Sequence, residues 1–74
     1  MLYYFPMTAL ERAINAVGGA AELAEKLGIQ RQAVYQWGEQ VPPLRVIAVE
    51  RITGVSRHDL RPDLYPVEIS PQAD

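Results

Sequence analysis

The sequence predicts an all-α domain of five short helices, with room for a short terminal β-ribbon. Three observations carry that expectation. Apolar residues recur at i, i+3, i+4 and i+7 in two consecutive segments, each closed by glycine. A Pro-Pro pair and two capping-box signatures mark further helix boundaries. The chain has 74 residues, which fits one small domain on the usual scale of about 100–200 residues per domain.

The first helix opens after Thr8, whose hydroxyl and the Glu11 carboxylate three residues on can satisfy each other's backbone amides. Leu10, Ala13, Ile14 and Val17 make one stripe over residues 9–17, which Gly18 and Gly19 stop. The second, residues 20–27, carries Ala20, Leu23, Ala24 and Leu27 inward and Glu22, Glu25 and Lys26 outward, with Gly28 as a left-handed cap. Ile29 and Gln30 lead into a third, residues 31 to about 38, where Val34 and Trp37 form a narrow apolar stripe on an otherwise polar segment. Val41-Pro42-Pro43 breaks the chain and opens a fourth helix, residues 44–53, with Leu44, Ile47, Ala48, Arg51 and Ile52 at helical spacing and Gly54 beyond it. Ser56 and Asp59 suggest a second capping box, for a fifth short helix that Pro62 bounds at about Arg61. This divides the chain into an arm, residues 1–7, a helical domain, residues 8–66, and an acidic tail, residues 67–74. Leu2-Tyr3-Tyr4-Phe5 and Val67-Glu68-Ile69-Ser70 are rich in β-formers and either pair as a two-stranded ribbon or pack as irregular arms.

Composition narrows the function. Without cysteine there is no disulfide, zinc-thiolate site or thiol chemistry, and a reducing cytoplasm is the expected setting. No apolar run reaches the roughly 18–20 residues of a membrane span. The lone histidine offers no metal cluster, no cofactor motif occurs, and Ser56, His58 and Asp59 would point in different directions on one helix, so no enzyme is expected. The formal charge of −2 argues against nucleic acid only until it is divided. Residues 1–30 hold two basic and three acidic side chains, residues 31–61 five and three, and residues 62–74 none and three.

The stretch from Ala20 to Glu39 resembles a helix-turn-helix at the positions that matter to that motif. Ala24 is small where the two helices cross, Gly28 can take positive φ in the turn, and Val34 and Trp37 can anchor the second helix on Leu23 and Leu27. Together with Gly18-Gly19, Val41-Pro42, Val46 to Glu50, Thr53-Gly54 and the run Ser56 to Pro66, the pattern from about Leu10 resembles the small phage and prophage Cro-type regulators, and among them the YdaS-like antitoxin or repressor proteins. That resemblance implies a five-helix Cro/lambda-repressor-like DNA-binding domain that represses transcription from an operator.

In a helix-turn-helix the N-terminal residues of the second helix meet base edges in the major groove. Gln30, Arg31 and Gln32 take the leading end, with Tyr35 and Gln36 one turn on. Arg31, Gln32 and Gln36 are the foremost base readers, since arginine pairs bidentately with guanine and glutamine with adenine. Tyr35 has less specific options, a thymine methyl, a phosphate or the groove wall. Arg45 and Gln40 are the side chains expected on phosphate. For Arg57, His58 and Arg61, packing or dimer contacts weigh at least as much as DNA. Gln30 departs from the Ser or Thr usual at the cap of the recognition helix, and it is a poor N-cap. The expected partner is a palindromic double-stranded operator bound by a homodimer, at least on DNA. The alternative is an antitoxin or protein-interaction module that neutralises a toxin partner, with DNA binding secondary.

Overall fold

Thr8 begins α1 (Ala9–Ala16) with the full capping box: its Oγ1 accepts the Glu11 N–H at 3.0 Å, and the Glu11 carboxylate accepts the Thr8 N–H at 2.9 Å. The computed structural model describes residues 7–67 and, among them, contains helices and turns but no strand. After α1 come α2 (Ala20–Leu27), α3 (Arg31–Gln36), a 3-10 turn (Pro43–Arg45), α4 (Val46–Thr53) and α5 (Arg57–Leu60). Both segments expected to form a ribbon fall wholly or mainly outside the described residues. Val67, the one described member, has no regular structure and is exposed.

The helices bury two clusters that meet. One joins Leu10 and Ala13 of α1, Val41 of the loop, Val46 and Val49 of α4 and Leu60 of α5. The other joins Leu23 and Ala24 of α2 to Val34 of α3. Ile14, Leu27 and Trp37 pack against both and so tie the two clusters into one core. Each fully buried aliphatic side chain here is worth roughly 1.5–3 kcal/mol of transfer free energy.

Three boundaries differ from the sequence reading. The periodicity predicts Leu44 on the inner stripe of a helix spanning residues 44–53, yet it is 95% exposed. Pro42 and Pro43 open a 3-10 turn before the α-helix, and its tighter winding takes Leu44 out of phase with α4. The inward residues of α4 are Val46 and Val49, with Ile47, Ala48 and Ile52 half-buried and Arg51 exposed. Val46-Ile47-Ala48-Val49 is continuously apolar, so several stripes fit it and periodicity alone cannot choose. The capping box at Ser56 forms by half and with a different amide. Ser56 Oγ accepts from His58 N–H at 3.0 Å, while the Asp59 carboxylate turns to Arg12 at 3.2 Å. The third helix ends before residue 38, because Trp37 caps it and Gly38 leaves it with φ +72°.

Candidate nucleic-acid interface

α2 and α3 build a helix-turn-helix from the inside outward. Leu23 is fully buried, and Ala24 and Val34 are each 2% exposed. Ala24 leaves space where a larger side chain would hold the helices apart. The turn depends on Gly28, whose φ of +76° suits glycine, and whose N–H bonds to the Glu25 carbonyl at 3.1 Å. An added Cβ at Gly28 would meet nothing within 4 Å, so backbone conformation rather than space calls for glycine here. Ile29 N–H bonds back to the Ala24 carbonyl at 3.0 Å and completes the closure.

With α3 held by Val34 and Trp37, its remaining face is open. Arg31 and Tyr35 form one i, i+4 row and Gln32 and Gln36 the next, and all four are exposed, Tyr35 to 64%. Gln30 precedes them in extended conformation; its side chain is exposed and makes no capping bond to α3. The sequence-predicted base readers are therefore contiguous on one surface, and the predicted core residues lie beneath it. Gln40 and Arg45 are exposed on the connection that leaves α3, with Arg45 closing the 3-10 turn through its N–H to the Pro42 carbonyl at 2.9 Å.

The cations divide into two groups. Arg57 pairs with Glu50 at 2.9 Å and lies 5.7 Å from the centre of the Tyr65 ring. Arg61 pairs with Asp63 at 2.8 Å, and Arg12 with Asp59 at 3.2 Å. Lys26, Arg31, Arg45 and Arg51 form no ion pair among the described residues. The backbone N–H of Arg57, with its guanidinium, holds the Glu50 carboxyl below its ordinary value against the opposing effect of burial. The Arg61 guanidinium does the same for Asp63. His58 Nδ1 is 2.8 Å from the Tyr65 carbonyl, and since a carbonyl can only accept, Nδ1 carries the proton. The run after Ser56 is thus a structural clasp: the Ser56 hydroxyl accepts the His58 backbone N–H, the His58 ring donates to the Tyr65 carbonyl, and the Asp59 carboxylate pairs with Arg12. Among the described residues no group of His, Asp and Glu is arranged to hold a metal ion, and no helix is long and apolar enough to cross a membrane.

Sequence reasoning missed two contacts of this region. Glu50 caps α5 by accepting the Arg57 N–H at 3.2 Å, and Arg61 reaches the Val41 carbonyl at 2.9 Å. Neither has a local signature, because the partners are seven and twenty residues apart.

Comparison with known proteins places this geometry. Residues 10–69 match the family model described as bacterial toxin YdaS. The Gene 30 protein of Enterobacteria phage phi80 is 40% identical over 62 residues, covering 78% of this chain and 85% of the phage protein. The Cro protein from putative prophage element Xfaso 1 in Xylella fastidiosa strain Ann-1 superposes with a TM-score of 0.77 at 37% identity, over 82% of this chain and all of that one. The extent of the family match and the shared helical architecture agree: the chain belongs to the YdaS family and is a Cro-like helix-turn-helix regulator of phage type.

Proposed function

We propose that the protein is a sequence-specific transcriptional repressor of phage or prophage type that lays α3 in the major groove of a palindromic operator. The observation that carries this reading is the exposed Arg31, Gln32, Tyr35 and Gln36 surface, backed by the packed Val34 and Trp37, on the second helix of a helix-turn-helix. Arg31, Gln32 and Gln36 read base edges, Gln30 and Tyr35 extend the contact at either side, and Gln40 and Arg45 take phosphates. Arg31 and Arg45, which form no ion pair among the described residues, supply charge that the paired Arg57 and Arg61 do not. One small domain covers one half-site, so two copies bind half-sites with centres about 34 Å apart.

Selection of bound duplexes from a random pool tests the proposal. Enrichment of a palindrome with that spacing is the expected result. The family's description as a toxin favours a second reading, a module that acts on a partner protein. Failure to enrich any sequence, with duplex retention insensitive to salt, would decide for that reading.

A further inference from the structure

Arg61 closes α5, twenty residues along the chain from Val41, yet its guanidinium spans the two segments. Nη1 donates to the Val41 carbonyl at 2.9 Å, while Nε and Nη2 donate to the two carboxylate oxygens of Asp63 at 3.0 and 2.8 Å. The Arg61 side chain is 14% exposed, so its bond to Val41 is partly shielded from solvent, while the Asp63 carboxylate that anchors it stays exposed. Val41 is fully buried, and its carbonyl accepts no other hydrogen bond among the described residues.

That carbonyl shares one planar peptide unit with the nitrogen of Pro42. Fixing its oxygen fixes the plane from which the Pro42 ring departs, and Pro42 at φ −61° allows little rotation beyond it. The Pro42 carbonyl in turn accepts the Arg45 N–H, so the position of Arg45 is set through a short, stiff relay. Asp63 neutralises the guanidinium and orients it, which leaves Arg61 poorly suited to bind phosphate itself.

We propose that Arg61 is a positioning residue for DNA contact: its fork, anchored on Asp63, holds the Val41 carbonyl and thereby sets the loop that presents Gln40 and Arg45. The proposal rests on the reading of that loop as a phosphate contact. It separates from a direct role for Arg61 through chemistry, since lysine keeps the charge but cannot reproduce the planar fork.

The test compares Arg61→Met, Arg61→Lys and Asp63→Asn with the wild-type chain. Amide hydrogen exchange is followed in the free protein, and affinity for the selected operator and for unrelated duplex is measured across a salt series. Both Arg61 variants are expected to exchange the Arg45 amide about tenfold faster, the size of one lost charge-assisted hydrogen bond. Both should weaken operator and unrelated duplex alike, with base preference unchanged and the salt slope lowered by up to about one. Asp63→Asn, a change at an exposed carboxylate, is expected to do the same to a smaller degree, and it reads the clamp even if an Arg61 variant does not fold. Wild-type binding by Arg61→Lys, unchanged Arg45 exchange in the variants, or tighter binding by Asp63→Asn would each overturn the proposal. A wild-type chain that retains no duplex overturns the repressor reading and the DNA half of this one, while exchange in the free protein still decides whether Arg61 holds the loop.

Discussion

The α2–α3 half and the α5 clasp use similar side chains to opposite ends. In the clasp, Arg57 and Arg61 are paired with Glu50 and Asp63, His58 is bonded to the Tyr65 carbonyl, and Ser56 caps its own helix. On α3, Arg31 has no ion pair among the described residues, and Gln30 leaves the helix without a side-chain cap. The clasp spends its polar groups on folding; the α3 surface keeps them available. Charge therefore informs about partners only after intramolecular pairing has been subtracted. The modestly basic residues 31–61 owe part of their excess to arginines already engaged.

The comparison can be broken most severely from beneath. Leu23→Ala removes a fully buried side chain from the α2–α3 cluster and should cost about 2–5 kcal/mol. Because Ile14, Leu27 and Trp37 join the two clusters, urea unfolding followed at Trp37 fluorescence and by helical circular dichroism should remain one coincident transition. Separate transitions would mean that the two halves are independent units.

Arg31→Ala acts on the surface alone. It should relax discrimination at one base position by about 1–3 kcal/mol, measured by competition among single-base operator variants, with unfolding unchanged. Gln30→Ser sharpens the contrast further, because its two effects have opposite signs. The serine supplies the missing cap and should raise stability by about 1 kcal/mol in thermal unfolding, while operator affinity falls if the longer amide makes a contact. A gain in both would remove Gln30 from the interface.

The smallest effect belongs to the clasp. Glu50 and Asp63 have carboxyls held below their ordinary values, so the unfolded chain binds more protons than the folded one in the acidic range. Their stabilisation is present above the ordinary carboxylate values near about 4 and is lost as pH falls through the lowered folded values. The melting temperature should decline in that window, and the decline should be shallower in a Glu50→Gln, Asp63→Asn double variant. Both groups are solvent-accessible, which keeps the change modest.

Much of the fold was legible because it is locally encoded. The Thr8–Glu11 box, the Leu23–Ala24–Gly28 spacing and the glycine after α4 each involve residues within a few positions of one another. The polar face of α3 was legible for the same reason, once Val34 and Trp37 identified its inner side. What escaped depends on contacts distant in sequence or on competition between near-equal patterns. Local spacing offers Asp59 only the Ser56 cap, and it is the tertiary placement of α1 that brings Arg12 close enough to take the carboxylate instead. Leu44 fits an apolar period that the Pro-Pro turn shifts out of register. The Arg61 bridge to Val41 requires α5 and the loop to be brought together first, and no spacing rule encodes that meeting.

The central proposal is that Arg31 and Arg45, which form no ion pair among the described residues, meet DNA, and the paired Arg57 and Arg61 do not. It is tested most directly by the slope of log affinity against log salt for the selected operator, measured with the wild type, Arg45→Ala and Arg57→Gln. Loss of one phosphate contact should reduce the magnitude of that slope by about 0.9 for Arg45→Ala, while Arg57→Gln, compared under conditions where both variants are folded, should leave it unchanged. An unchanged slope for Arg45→Ala together with a reduced one for Arg57→Gln would contradict the account.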